Sequence, residues 1–418
     1  MKKINLKINT LAIIVLSGII FTSCNKSLVE LAPIATPVYP SSTTTISKSI
    51  AANPNDSLFN RLLIRSGLNV TLNDTTKTFT VFAVDNVGMK IFVNAATGGF
   101  IPLTAPDADF SKFISGTYPV TAVNLSATQA VGIAMYSIVG QKYPSSAIGT
   151  AFPNFPLPTQ IQLDPVNSPF LRLTSFPTKS TPFSYVNNVP LTGIDQLASN
   201  GVIHHTYSVV APPSALLKSV IASKANLSYF RAAVARGDSG SVGTSRFDSL
   251  FNYGIMNMTV LAPNDAAMQP VLFGALYQGL IFQGVPAGTA FTQATLLSAT
   301  PAGFNYLPVA DVKGIVAYHI LASNPSGNYV PNIRVFSVNT PSTATFIKTL
   351  VNTGVAAHPG VRAQATFTGS VASTVTFSGA GTFPPGGTPY SQIATVTEKD
   401  LHAVNGVLHI IDKVLLPQ

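Results

Sequence analysis

The stretch NGVLHIIDKVLLP at residues 405–417 returns near the middle of the chain as NGVIHHTYSVVAPP at residues 200–213. Both copies read Asn-Gly-Val, then Ile or Leu, then His, and both run through apolar residues to a proline. An Asn-Gly pair favours a tight hairpin turn, and an alternating run after it is typical of a half-buried strand. The recurrence therefore predicts two copies of one domain, each closed by a hairpin.

Two further blocks recur in the same order upstream of this motif. TVFAVDN at residues 80–86 pairs with TVLAPND at residues 259–265, and GIAMYSIV at residues 132–139 pairs with GIVAYHIL at residues 314–321. Three ordered matches between two halves of a chain indicate an internal duplication. The predicted domains are therefore residues 53–213 and residues 214–418, within a chain of 418 residues.

Each copy also opens with an amphipathic helix pattern that stops at a glycine. In the first copy, apolar residues spaced three and four apart over residues 57–64 precede Gly67. In the second copy a similar pattern over residues 227–235 precedes Gly237. Glycine is a frequent C-terminal stop of helices, so both patterns predict a helix that ends there.

These blocks resemble the fasciclin domain. The second copy fits the family pattern closely, with Thr259–Met268, the pair Tyr318-His319 and the closing motif Asn405, Gly406 and His409. The resemblance implies an α+β fold: two tandem fasciclin-like domains, each a β-rich wedge or sandwich with packed helices. It also implies that the motif positions are structural or take part in binding.

The first copy departs from the family pattern at two places. Val84-Asp85-Asn86 replaces the usual proline-containing turn, and Ser137 stands where the second copy has His319. The closing motif is kept as Asn200, Gly201 and His204. The first domain is therefore expected either to bind a ligand or to serve mainly as a spacer.

The second copy is longer than the first between its first and last blocks. The additional residues are predicted to lie around residues 361–389, which are rich in Thr, Ser, Gly and Ala. Their alternating pattern predicts an added hairpin with a tip of prolines and glycines.

The N-terminus has the features of an export signal. Lys2 and Lys3 precede an eleven-residue apolar run at residues 11–21, which is too short to span a bilayer. Thr22 and Ser23 then lead to Cys24, the only cysteine of the chain, and this arrangement resembles the lipobox of bacterial lipoproteins. The prediction is a signal peptide over residues 1–23, a lipid on Cys24 and an extended Ser/Thr/Pro-rich tether over residues 24–52.

The predicted lipid would hold the protein on the cell envelope without a membrane-spanning segment. The second residue after the cysteine is Lys26, so no aspartate at that position marks retention at an inner membrane. We therefore expect the outer membrane, with its periplasmic and surface-exposed sides both left open.

Composition excludes several classes of protein. One cysteine cannot form an internal disulfide or a multi-cysteine zinc site. The basic residues are scattered without a Lys/Arg run, so nothing beyond the positive net charge indicates nucleic-acid binding. No metal and no cofactor is predicted.

Catalytic motifs are also missing from the sequence. There is no G-x-S-x-G nucleophile motif and no phosphate-binding GxxxxGK[ST] loop. The six histidines are interpreted mainly as packed or hydrogen-bonded residues. We therefore expect a protein that is not an enzyme.

The tripeptide Arg236-Gly237-Asp238 suggests a speculative adhesion site, because fasciclin-family proteins in animals take part in adhesion. The alternative is an ordinary helix end. The leading hypothesis for the whole chain is adhesion to, or binding of, an extracellular glycan, matrix or protein ligand. An accessory binding subunit of an outer-membrane polysaccharide or nutrient uptake system is the alternative.

Overall fold

The computed structural model describes residues 42–149 and 156–418. The chain divides into two compact units, Met1–Ser214 and Ala215–Gln418. The predicted signal peptide and Cys24 lie outside the described residues. No helix of the described ranges is long and apolar enough to cross a membrane.

The first unit is a mixed α+β fold. Its described helices are α1 (Ile46–Ala52), α2 (Ser57–Ser66), α3 (Leu68–Thr71), α4 (Asn86–Ala96), α5 (Asp107–Ser115) and α6 (Ala127–Tyr136). Its described strands are β1 (Phe79–Val84), β2 (Ile138–Val139), β3 (Leu157–Asp164), β4 (Ser168–Ser175), β5 (Pro177–Ser180), β6 (Phe183–Val186), β7 (Val189–Ala198) and β8 (Gly201–Thr206).

These strands form one sheet in the order β4-β3-β2-β1-β8-β7-β6-β5. β1 and β8 pair in parallel at its centre, with Phe79 opposite Gly201, and the other pairs are antiparallel. Every residue of β1 is buried because strands flank it on both sides and helices pack over it.

The second unit repeats this plan. Its described helices are α7 (Leu217–Ser223), α8 (Ser228–Gly237), α9 (Phe247–Phe251), α10 (Asp265–Phe282), α11 (Ala287–Ser298) and α12 (Val309–Tyr318). Its described strands are β9 (Met258–Pro263), β10 (Thr345–Ile347), β11 (Val361–Thr368), β12 (Val371–Ser378), β13 (Ile393–Ala403) and β14 (Gly406–Ile411). They form a sheet in the order β10-β11-β12-β13-β14-β9, in which β14 and β9 are parallel. Both units are therefore α+β, as the sequence predicts.

Helix starts and stops follow local chemistry. Asp85 and Asn264 accept hydrogen bonds from Gly88 N–H (2.8 Å) and Ala267 N–H (2.8 Å), and so cap α4 and α10. Gly67 ends α2 in the left-handed conformation, with φ +73°, as predicted. The second helix, α8, also ends at Gly237 as predicted, but this glycine is the last helical residue and packs close to Lys313 and Phe247, and it does not form a left-handed cap.

Two predictions about hairpins need correction. The two-residue loops are Ser199-Asn200 and Val404-Asn405, so the motif glycine is the first residue of the returning strand. The hairpin of residues 361–389 exists as β11 and β12, but it turns at residues 369–370. The prolines and most of the glycines of this stretch lie in the loop after β12 instead. In strand order it corresponds to the shorter pair β5 and β6, so it is lengthened and not added.

The predicted tether also ends earlier than residue 52. Residues 46–52 form α1, and the side chains of Ile46 and Ile50 are fully buried in the core of the first unit. Ser47 N–H also donates to Leu72 O at 3.3 Å. The first folded unit therefore begins before the predicted boundary at residue 53.

Candidate functional site

The motif asparagines tie the first helix of each unit to the closing hairpin. Asn405 Oδ1 accepts from Leu217 N–H at 2.8 Å, and its Nδ2 donates to Phe251 O at 2.9 Å and to Tyr253 O at 3.2 Å. In the first unit, Asn200 Oδ1 accepts in the same way from Ile46 N–H. Both side chains are almost fully buried, so they hold the fold and are not presented to a ligand.

The motif glycines allow two strands to approach closely. A Cβ on Gly201 would lie 1.9 Å from Phe79 O, and the residue has a φ of +152°. A Cβ on Gly406 would lie 2.5 Å from Met258 O and 2.4 Å from a methyl group of Leu217. Any larger residue would push the two parallel strands of the unit apart.

The motif histidines belong to a buried hydrogen-bond network in each unit. In the second unit, His409 Nε2 donates to Val335 O at 2.8 Å, and His409 Nδ1 accepts from Asp400 N–H at 3.3 Å. The Asp400 carboxylate in turn accepts from Ser337 N–H at 2.7 Å and from the Ser337 hydroxyl. The first unit has the same chain of contacts through His204, Asp195 and Ser145.

This Ser-Asp-His arrangement is not a catalytic triad. Both ring nitrogens of the histidine are engaged by backbone groups, and the serine hydroxyl bonds to the aspartate instead of to the ring. A triad needs the imidazole on the hydroxyl as its base. Burial also lowers the pKa of His204.

Sequence reasoning missed the two aspartates of this arrangement, Asp195 and Asp400. Each lies five residues before the motif asparagine, and each has positive φ, +60° for Asp195 and +59° for Asp400. The shared spacing was the signal that could have identified them.

Tyr318 and His319 are buried at the end of α12. Tyr318 Oη donates to Gly360 O at 2.7 Å and accepts from Ala380 N–H at 3.2 Å. His319 Nδ1 donates to Ile315 O at 2.8 Å, and its Nε2 accepts from Leu415 N–H at 2.9 Å. Burial raises the pKa of Tyr318 and lowers the pKa of His319 to about 4. The first unit keeps the tyrosine, as Tyr136, and has Ser137 in place of the histidine.

The stability of the second unit should therefore depend on pH. The pKa of His319 is about 4 in the folded unit because burial penalises the imidazolium, and it is about 6.5 in the unfolded chain. Above pH 6.5 both states are neutral. Between pH 6.5 and 4 the unfolded chain binds the proton first, so the free energy of unfolding should fall by about 3 kcal/mol from this group alone.

Urea unfolding followed by circular dichroism across this pH range measures the effect. The slope should shrink in His319→Gln, and an unchanged slope would contradict the assignment. Burial also lowers the pKa values of His204 and His402, so these two groups maintain a residual slope in the variant.

The tripeptide Arg236-Gly237-Asp238 is not presented as an adhesion loop. The Arg236 guanidinium donates to Leu307 O at 2.6 and 2.9 Å, and Gly237 is buried within α8. The Asp238 carboxylate is 3% exposed and accepts from the N–H groups of Phe247 (2.6 Å) and Asp248 (2.9 Å) at the start of α9. The adhesion hypothesis for these residues is therefore wrong, since their recognition groups are consumed inside the fold.

A half-open cavity of about 320 Å³ lies among α7, α8 and α9. Two groups of side chains line it: five apolar ones, here called the floor (Ile221, Ala222, Val234, Ala235 and Phe251), and five charged ones, here called the rim (Lys218, Arg231, Arg246, Asp238 and Asp248). Its volume lies at the lower end of the range for small-ligand sites. Sequence reasoning missed it because the rim charges are scattered along the chain.

The rim carboxylates already have partners, whereas the cations keep accessible surface. Asp248 pairs with Lys218 at 2.9 Å, and Asp238 caps α9. Arg246 Nε lies 3.9 Å from Asp238, and the Arg246 side chain is 46% exposed. The cavity can thus offer a guanidinium to an anionic group while its floor contacts an apolar ring face.

No group of three His, Cys, Asp or Glu side chains is close enough to hold a metal ion in the described ranges. The predicted lipid site Cys24 lies outside those ranges. Its attachment to lipid therefore stays a prediction.

Comparison with known proteins finds a family match for most of the second unit. Residues 240–417 match the family model described as the fasciclin domain. No curated protein matches the chain. Among solved structures, the chain is similar to a FAS1 domain pair from the insect cell adhesion molecule fasciclin I, at 13% sequence identity. That match covers 86% of this chain and 96% of the other, with a TM-score of 0.30. Residues 240–417 are thus similar to the fasciclin domain, and the first unit repeats the closing motif of the second in the same hydrogen-bonded form.

Proposed function

We propose that the protein is a non-enzymatic, lipid-anchored binding protein of the cell envelope. Its two fasciclin-like units would adhere to or capture an extracellular glycan, matrix or protein ligand. The fasciclin match of residues 240–417 supports a domain of the adhesion type. The predicted lipid on Cys24 would hold it at the membrane, most simply the outer membrane, on the periplasmic or the exposed side.

The cavity beside Arg246 carries the binding part of the proposal. The motif asparagines and histidines are occupied by internal hydrogen bonds, whereas this cavity combines an accessible guanidinium with an apolar floor. Such a site suits an anionic sugar, whose carboxylate would bind the arginine and whose ring would lie on the floor. Two units on one tether would increase avidity for a repetitive polymer if both bind.

A glycan and matrix-protein array tests the proposal. The full chain, purified in detergent with its lipid, should bind anionic glycans saturably and neutral ones weakly. A folded protein that binds no glycan and no matrix protein would contradict direct adhesion. Co-purification of a membrane transporter in that case would favour the accessory-subunit alternative.

A further inference from the structure

After its first residue, Asp265, the helical hairpin of α10 and α11 has no Asp, Glu, Lys, Arg or His side chain. Between Asp265 and Asp311 the chain runs for 45 residues without Asp, Glu, Lys, Arg or His. Surface helices of water-soluble domains ordinarily carry charge on their outer face. The run includes α10 after Asp265, all of α11 and the loop that joins them at residues 283–286.

Large apolar side chains are exposed on this hairpin. Phe282, at its tip, is 94% exposed, Phe291 is 58% exposed and Leu296 is 71% exposed. Phe273 and Tyr277 stack along α10, and Phe291 of α11 meets Phe273 edge-on with ring centroids 5.3 Å apart. The hairpin therefore presents an aromatic seam and a phenylalanine tip to its surroundings.

The fold does not require this lack of charge. The corresponding helices of the first unit, α4 and α5, carry Lys90, Asp107, Asp109 and Lys112. Lys90 Nζ lies 2.6 Å from Asp107 there, so the pair even bridges the two helices. The same place in the fold thus accepts charge in one unit and has none in the other.

We propose that this hairpin docks on a lipid bilayer, with Phe282 and Phe291 inserted at the level of the acyl chains. Charges are costly at that depth, which matches a surface that has none, whereas the rim of a protein interface is polar. The second unit as a whole is basic, with eleven Lys and Arg against seven Asp and Glu over residues 215–418. That excess of four positive charges complements anionic headgroups.

The length of chain between Cys24 and the described residues also favours a lipid bilayer as the partner of the hairpin. The inference rests on the proposed lipid anchor for its access to a membrane. Cys24 precedes Ser42 by eighteen residues, a contour of at most about 60 Å. Anchoring there would keep the folded units close to a bilayer at all times.

Tryptophan fluorescence offers a direct test, because the chain contains no tryptophan. The chain from residue 24 onward, with Cys24→Ser to remove the anchor, receives Phe282→Trp as a single reporter. Phe170→Trp in the first unit is the matched control, since Phe170 is also 94% exposed. Vesicles of phosphatidylcholine mixed with phosphatidylglycerol should shift the emission of the reporter at position 282 to the blue, and leave the reporter at position 170 unchanged.

Vesicle flotation measures how strongly each variant binds to the bilayer. Phe282→Ser should weaken binding of the Cys24→Ser chain by about tenfold, and Phe170→Ser should not change it. No shift at position 282 in a folded protein would overturn the proposal. A blue shift that needs no vesicles and rises with protein concentration would also overturn it, because a second copy would then cover the seam. Since the probe has no lipid, such failures leave the anchor itself unaffected, and labelling of Cys24 with a fatty acid tests that separately.

Discussion

Gly201→Ala should destabilise the first unit by about 4 kcal/mol or more. The new Cβ would stand 1.9 Å from Phe79 O, on the strand that pairs with β8 in parallel at the centre of the sheet. The φ of +152° adds strain for any residue with a side chain. Relief requires β1 and β8 to separate, and that would expose the fully buried β1. Urea unfolding followed by circular dichroism measures the loss.

Gly132→Ala is the matched control in the same unit. Gly132 lies inside α6, where the nearest atom to a new Cβ is a proline carbon at 3.9 Å. Alanine is preferred over glycine within helices, so this variant should be as stable as the wild type or slightly more so. If Gly201→Ala and Gly132→Ala unfold at the same urea concentration, the close approach of β1 and β8 does not determine the stability of the first unit.

Asn405→Ala should cost the second unit about 3 kcal/mol or more. The change removes three hydrogen bonds and leaves Leu217 N–H without its acceptor in a buried position. Asn405→Asp should also be destabilising, because it keeps the acceptor for Leu217 N–H but brings a carboxylate towards the carbonyls of Phe251 and Tyr253.

Asn305→Ala, at an exposed position of the same unit, should change the free energy of unfolding by less than about 0.5 kcal/mol. Thermal and urea unfolding of the three variants decide the matter. A loss in Asn405→Ala no larger than in Asn305→Ala would show that the motif asparagine is not a structural tie.

The fold class could be predicted because its strongest determinant is local and occurs twice. An Asn-Gly pair before an alternating run indicates a hairpin wherever it stands, and its recurrence indicates the duplication. What the asparagine does could not be inferred, since its partners Leu217 and Phe251 are more than 150 residues away. The start of α1 was missed because Ile46 and Ile50 are the only buried apolar residues of a short helix in a Ser/Thr-rich stretch.

The candidate binding site was even less accessible from the sequence. The packing of three helices brings together Lys218, Arg231 and Arg246, and their spacing in the sequence does not indicate a site. The tripeptide at residues 236–238 is easily noticed in the sequence and suggested a binding site. In the structure, however, the carboxylate of Asp238 caps α9. A partner can recognise a motif only where it is exposed, and the residues of the motif alone do not show whether it is exposed.

Binding of the full chain to an array of anionic and neutral glycans, compared with Arg246→Gln and Arg61→Gln, tests the proposed function most directly. Arg246 stands at the rim of the cavity, and Arg61 is an exposed arginine on α2 of the first unit. We predict saturable binding to anionic glycans that Arg246→Gln weakens about tenfold or more and Arg61→Gln leaves intact. Equal binding by all three proteins, or no binding by the folded wild type, would contradict it.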